Sequence, residues 1–181
     1  DYDGGYAGSG NFGNFASFSL TPVLGANQIT WIDGYLILTV KDTSLFYVSA
    51  WAGLTFNPLD FATSEGNPDN VVGLSSLNRD LIIFNKVSTE IYANSGNADF
   101  PFERVGNGFI EIGCAAPFSI AKTSEAVFWL GQDASGRGKV YAANSISPRQ
   151  ISKYAMAASI SPLEDISTAR GYTYQYKLSH G

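Results

Sequence analysis

Short apolar runs separated by polar turns dominate this chain, and three of the runs recur at an even interval. The runs at residues 35–38, 81–84 and 127–130 begin 46 residues apart, and each follows a tight polar turn. An apolar stretch also precedes each of these turns, and an apolar residue followed by tyrosine comes after the next turn. A meander of strands that repeats every ~45 residues is typical of propeller blades. The pattern therefore predicts an array of antiparallel meander blades.

The same pattern places the strands. We predict antiparallel strands over six segments, each paired with its neighbour in the repeat. These segments are residues 35–40, 45–50, 81–85, 90–93, 127–132 and 139–142. A further strand in each unit is expected from the apolar stretches ahead of the turns, at residues 29–32, 71–77 and 118–121.

The 46-residue spacing also predicts which positions share a core environment. Ile37, Ile83 and Trp129 fall at the same point of the three units and are expected to be equivalent and buried. The tyrosines that follow an apolar residue are expected to be buried apart from their hydroxyls, and they are Tyr47, Tyr92 and Tyr141.

The repeat divides the chain into three parts. Residues 1–28 are a Gly/Asn-rich irregular segment or the end of a preceding unit, and residues 29–158 hold three meander repeats. Residues 159–181 are expected to start a truncated fourth repeat, in which residues 171–176 alternate as a strand. A closed propeller needs at least four blades. We therefore expect an all-β, β-propeller-like fragment of a larger propeller, with completion of the sheet by another chain as the alternative.

Composition and charge narrow the classes of partner. Apolar residues make up 45% of the chain and aromatic residues 14%, which suits half-buried strands. The formal net charge is -5, and the 11 basic residues are scattered singly, whereas a protein that binds duplex phosphates normally clusters them. No apolar run approaches the ~18 residues of a membrane-spanning helix. We therefore expect neither direct sequence-specific nucleic-acid binding nor a membrane role.

One glycine motif and one cysteine invite a chemical interpretation. Residues 8–13 spell G-x-G-x-x-G, but the dinucleotide motif needs a strand before it and a helix after it, and neither is predicted here. Cys114 is the only cysteine, which excludes an internal disulfide, and His180 is the only histidine. The motif is interpreted as a loop and Cys114 as a small buried apolar residue. A catalytic Cys-His pair remains the disfavoured alternative.

Three carboxylates, Asp60, Glu65 and Asp69, lie in one proline-interrupted connection. Propeller glycosidases use paired carboxylates, so a glycosidase site is one interpretation. The interpretation we favour is that these side chains cap turns and bond backbone amides between blades. Their spacing lacks the alternating oxygen ligands of a calcium loop, and residues 133–138 form a flexible hairpin tip. No catalytic residue, metal site or cofactor is predicted.

A resemblance to a known family covers more than half of the chain. The similar segments include an Ala-x-x-Glu-x-x-Pro-Asp stretch that ends at Asp69, and a Gly-Cys step at Cys114. All of them lie at residues 61–69, 71–74, 81–85, 89–92, 100–105 and 112–114. In this order and spacing, the chain from Phe46 to Gln150 resembles the packaged-DNA stabilisation proteins of short-tailed phages, which are tail accessory or hub factors.

The resemblance implies a structural component of the virion tail, assembled in the cytoplasm of the bacterial host. Copies would form a ring below the portal and its adaptor, close the DNA channel, and hold a tail needle, fibre or spike. The family implies no active site and no cofactor. Function would then rest on shape and on protein contacts.

The rival class is a carbohydrate-binding or polysaccharide-degrading propeller, and a bacterial surface adhesin is a third option. Exposed tryptophans would serve as sugar platforms in the rival class. From their sequence context we expect Trp31 and Trp129 to lie in the core and Trp51 to be exposed.

Overall fold

The computed structural model describes residues 26–64, 66, 69–132, 138–144, 147–160, 162–163 and 165–174. Three four-stranded antiparallel sheets make up most of the described chain, and in each sheet the strands lie side by side in chain order. Each sheet is therefore one meander blade, and the predicted all-β, propeller-like architecture is confirmed.

The blades follow one another along the sequence. Blade 1 consists of β1 (Ala26–Ile32), β2 (Tyr35–Val40), β3 (Leu45–Ser49) and β4 (Phe56–Thr63). Blade 2 consists of β5 (Val71–Leu77), β6 (Asp80–Asn85), β7 (Thr89–Asn94) and β8 (Phe102–Ile110). Blade 3 consists of β9 (Ala121–Lys122), β10 (Val127–Gln132), β11 (Gly138–Ala143) and β12 (Pro148–Gln150). A 3-10 turn (Pro117–Ser119) precedes β9, and a short helix, α1 (Tyr154–Ile160), follows β12.

The six strands predicted from the repeat are all present, with ends that agree to within one residue. The expected strand at residues 118–121 is mostly wrong, because a 3-10 turn with Pro117 at its start occupies residues 117–119. The predicted strand at residues 171–176 is also wrong for residues 171–174, which belong to no strand. There the amide of Gly171 bonds the carbonyl of Phe118 in a loop instead of a strand partner. Residues 175 and 176 lie outside the described residues.

The core lies between the blades. One apolar cluster joins blades 1 and 2, and it includes Ile37 and Ile83. A second cluster joins blades 2 and 3, and it includes Phe84 and Trp129. Along β6, alternate side chains enter the two clusters, because successive residues of a strand point to opposite faces. The run at residues 81–84 is apolar at every position since blade 2 is covered on both faces.

The predicted core side chains are buried. Ile37 and Ile83 are 0% exposed and Trp129 is 1% exposed. Each of the three predicted tyrosines is also buried, at 8% or less: Tyr47, Tyr92 and Tyr141.

Hairpin register corrects the expected equivalence of these positions. The turn that follows the first strand is closed by Tyr35 in blade 1 and by Asp80 in blade 2, which are 45 residues apart. The structural equivalent of Ile37 is therefore Ile82. A slip of one residue moves a side chain to the other face of a sheet. Ile37 faces the following blade, whereas Ile83 faces the preceding one, so their predicted equivalence is wrong although their burial is confirmed.

Candidate functional site

The first strands of the three blades meet along a polar seam. Thr30 Oγ1 of β1 lies 3.3 Å from Ser76 Oγ of β5. Lys122 Nζ of β9 donates to Ser76 O at 3.0 Å and to Ser76 Oγ at 3.1 Å. One residue from each blade thus takes part in a continuous set of polar contacts, which joins the first strands of the blades, β1, β5 and β9.

Gln28 also links all three blades. Its Oε1 accepts from the amide of Leu74 in blade 2 at 2.9 Å, and its Nε2 donates to the carbonyl of Pro117, ahead of blade 3, at 2.9 Å. Gly73 makes room for this side chain, since a Cβ there would lie 2.6 Å from Gln28 Oε1. The glycine therefore favours the close approach of the Gln28 and Ile120 side chains.

An ion pair closes the rim between blades 1 and 2. Asp33 and Arg79 occupy two-residue hairpin turns with positive φ (51° and 69°), as expected of turns that match the twist of the strands. Arg79 Nη2 lies 3.0 Å from Asp33 Oδ2, and Asn94 Nδ2 donates to the same oxygen at 3.2 Å. Hydrogen bonding from Arg79 is the main cause that lowers the pKa of Asp33.

A fully buried carboxylate, Glu90, holds the chain that connects blade 1 to blade 2. We call residues 64–70 the first connection. Glu90 Oε1 accepts from Ser64 Oγ at 2.6 Å and from the amide of Gly66 at 2.9 Å. Its Oε2 accepts from Tyr92 Oη at 2.9 Å and lies 3.4 Å from Arg104 Nη1. Every donor comes from the connection or from blade 2, so Glu90 acts as a structural anchor.

Asp69 anchors the other end of the first connection. Its Oδ1 accepts from the amide of Lys86, and its Oδ2 accepts from the amides of Val87 and Ser88, at distances of 2.8–3.1 Å. This is the predicted role for Asp69, a carboxylate that bonds backbone amides between blades. Asp60 is bonded locally, with Asn57 Nδ2 as donor at 3.1 Å.

Cys114 is 1% exposed and lies between blades 2 and 3. Its Sγ donates to the carbonyl of Ala116 at 3.1 Å. Burial raises the pKa of its thiol to about 11. The thiolate that a nucleophile requires is therefore disfavoured, in agreement with the interpretation of Cys114 as a small buried apolar residue.

Two tryptophans lie at the surface of blade 1. Trp51 is 70% exposed, as predicted, and its indole packs against Gly34, where a Cβ would lie 2.6 Å from Nε1. The predicted burial of Trp31 is wrong, because it is 52% exposed. Trp31 and the exposed Ile29 pair with Leu36 and Leu38 on the face of blade 1 that points away from blade 2. This face of blade 1 therefore exposes large apolar side chains at Ile29 and Trp31.

Several sequence candidates lie outside the described residues, namely the motif at residues 8–13, Glu65, His180 and residues 133–137 of the hairpin tip. Among the residues that the structure describes, no group of three or more His, Cys, Asp or Glu side chains is placed to hold a metal ion. In the same part of the chain, no helix has both the length and the apolar character needed to cross a membrane.

Sequence reasoning missed Glu90, a fully buried carboxylate that accepts hydrogen bonds at both of its oxygens. A signal was present, because Glu90 stands inside a predicted strand directly before the apolar pair that enters the core. A charged residue at such a position requires buried partners.

Comparison with known proteins adds one finding. The model of a family described as Bacteriophage P22 Gp10, beta-propeller, matches residues 2–179. The match covers all three blades and contains the whole segment on which the family resemblance was based. No curated protein matches the chain.

Proposed function

Because the chain belongs to the Bacteriophage P22 Gp10 beta-propeller family, we propose that it acts in the phage tail hub and closes the portal channel after packaging. Membership makes it a phage structural protein of the class that stabilises packaged DNA. The specific position in the hub, the closing of the channel and assembly in the host cytoplasm are parts of the proposal.

The family match over residues 2–179 is the observation that carries the proposal. The candidate reactive groups are buried or take part in hydrogen bonds that hold the fold, which supports a role without catalysis. Cys114 is buried with a raised thiol pKa, and the oxygens of Asp69 and Glu90 accept hydrogen bonds that hold the first connection. We therefore assign a structural role to these three side chains.

The proposed partners are other tail proteins, namely the portal adaptor and the tail needle, fibre or spike, together with copies of this chain in a ring. Large exposed apolar side chains support protein contacts, since such residues supply the anchors of interfaces. Those on blade 1 are Ile29, Trp31, Trp51, Leu54, Leu59 and Phe61. The net charge of -5 argues against direct binding to DNA phosphates.

The test is a virion assembled without the full-length protein. Packaging should proceed to completion, and the genome should then leave the head, because nothing closes the channel. Supplying the wild-type protein in trans should restore retention of DNA, which controls for other defects of the particles. Particles that keep their DNA without the protein would refute the closing role.

The exposure of Trp31 and Trp51 favours one second candidate, a carbohydrate-binding or polysaccharide-degrading propeller. Aromatic side chains at a surface offer flat apolar faces with a polar edge. Binding of host surface polysaccharide by the purified protein, lost in Trp51→Ala and kept in the Leu59→Ala control, would support this candidate. Hydrolysis of the polysaccharide would overturn the proposed non-catalytic role.

A further inference from the structure

Asn85 contacts both of the segments that connect the blades. We call residues 111–120, between blades 2 and 3, the second connection. Asn85 is 0% exposed and ends β6. Its Nδ2 donates to Ser64 Oγ of the first connection at 2.7 Å, and its main-chain oxygen accepts from the amide of Cys114 of the second connection at 2.8 Å.

The direction of the hydrogen bonds around Asn85 is determined by two carboxylates. Ser64 Oγ donates its single proton to Glu90, and Ser88 Oγ donates its proton to Asp69. Both hydroxyls can therefore only accept from Asn85, and its Nδ2 donates to both of them, at 2.7 and 3.1 Å. The buried Oδ1 of Asn85 has no partner among the described residues. Rotation of the amide would place this acceptor against two hydroxyls without free protons, so the side chain has one allowed orientation.

The second connection packs against the turn of blade 2 between β6 and β7, at residues 86–88. Thr89 Oγ1 donates to the carbonyl of Ile112 at 2.7 Å. Gly113 lies so close to the turn that a Cβ there would be 2.2 Å from the main-chain oxygen of Lys86. The amides of residues 86–88 bind Asp69 on the other side. The turn between β6 and β7 therefore stands between the two connections. Its own amides bond the first connection, and the flanking residues Asn85 and Thr89 bond the second.

We propose that Asn85 couples the two connections, so that loosening the first connection increases the opening of the second. The coupling runs through hydrogen bonds in series, from Ser64 to the side chain of Asn85 and from its main chain to Cys114. Buried bonds of this kind reinforce one another in a low-dielectric interior. Each apolar cluster joins only two neighbouring blades. Asn85 instead bonds both connections, the one between blades 1 and 2 and the one between blades 2 and 3. The inference is independent of the proposed function.

Two amide protons report on the two connections. The amide of Gly66 bonds Glu90 in the first connection, and the amide of Cys114 bonds Asn85 in the second. Their hydrogen exchange is measured by NMR in the full chain, relative to amides of β11, which serve as the reference for global unfolding. Ser64→Ala removes the hydroxyl that Asn85 binds. We expect exchange to accelerate about tenfold at Gly66, and also at Cys114, beyond any change in β11.

The coupling is tested by repeating Ser64→Ala in the background of Asn85→Ala, as a double-mutant cycle. There Ser64→Ala should no longer change exchange at Cys114. Ser95→Ala is the matched control, because it removes a hydroxyl bond to the carbonyl of Pro101 in the loop between β7 and β8, which follows the end of β7 opposite to Asn85. It should leave Cys114 unchanged.

Tyr92→Phe serves as a milder variant if Ser64→Ala does not fold, since it removes one donor from Glu90. It should accelerate exchange at both reporters in the same direction. Acceleration at Gly66 with wild-type exchange at Cys114, in either variant, overturns the proposal. So does an effect of Ser64→Ala on Cys114 that persists without the Asn85 side chain.

Discussion

Arg79 of blade 2 binds Asp33 of blade 1 through two nitrogens. Nε donates to Oδ1 at 3.1 Å and Nη2 donates to Oδ2 at 3.0 Å. The two residues occupy turns of consecutive blades, each at the end of the same hairpin of its own unit. A planar guanidinium that meets a carboxylate at both oxygens specifies an orientation, so the pair aligns the two blades at the rim.

This ion pair predicts a pH dependence of stability. The pKa of Asp33 is lower in the folded state than in the unfolded chain, with Arg79 as the main cause. Its contribution to the free energy of unfolding is therefore complete above about pH 4, and is lost as the pH falls through the lowered folded pKa. Asn tolerates the positive φ of this turn, so Asp33→Asn removes the charge without straining the backbone.

The measurement is the difference in urea-unfolding free energy between wild type and Asp33→Asn, from pH 7 down to the acid limit of folding. We expect this difference to shrink on acidification and on addition of salt. Asp99→Asn removes a charge from an exposed loop and controls for net charge. A difference that grows on acidification would contradict the assignment.

Glu90→Gln should destabilise the protein by about 1–3 kcal/mol, because the Gln amide nitrogen cannot accept from the donors that surround it. The ion pair with the half-exposed Arg104 is lost as well. Urea unfolding measures the change. Glu103→Gln, on the exposed neighbouring strand, is the control and should stay within about 0.5 kcal/mol of wild type. Equal effects of the two substitutions would exclude the anchoring role of Glu90.

Ile83→Ala should cost about 2–5 kcal/mol, since it leaves a cavity in the cluster between blades 1 and 2. Ile29→Ala, at a side chain of blade 1 that is 60% exposed, is the comparison and should change stability little. Thermal unfolding of both variants checks the difference. Wild-type melting of Ile83→Ala would show that the site is not part of the core.

Gly113→Ala should destabilise by about 3 kcal/mol, at the upper end of the range for overpacking. The added Cβ would meet the main chain of Lys86 and Val87 at 2.2–2.4 Å, and backbone cannot give way as a side-chain tip can. Gly106→Ala is the matched control, because a Cβ at Gly106 has no atom within 4 Å. If both variants unfold at the same urea concentration, the second connection does not pack closely on blade 2.

The three inner strands of blades 1 and 2, and the second and third strands of blade 3, could be predicted largely because they enter an apolar core and are separated by polar turns. The fourth strands could not. β4 contains Pro58 and has no buried residue, and β8 contains Gly106 and Gly108, so neither carries an alternating apolar pattern. These outer strands are specified by hydrogen bonds to the third strand of their blade, which a sequence pattern does not reveal.

Two of the errors in the inner region concern side chains and have separate physical causes. The equivalence of Ile37 with Ile83 failed because the first unit is one residue shorter than the 46-residue spacing. Side chains alternate between the two faces of a strand, so this shift of one residue places Ile37 and Ile83 on opposite faces. The burial of Trp31 failed because sequence context specifies a strand and does not specify which of its faces is covered. The anchors Asp69 and Glu90 depend on contacts between segments that are 17–26 residues apart in the chain.

Blade 2 has consequences for how the chain folds during synthesis. Both faces of β6 are apolar and are covered by neighbouring blades. Blade 1, which covers one face, is synthesised before β6, and blade 3, which covers the other face, is synthesised after it. At about 5–20 residues per second, the ribosome needs several seconds to complete blade 3. During that interval Ile82 and Phe84 have no cover from their own chain within the described blades, and the nascent protein exposes an apolar sheet face.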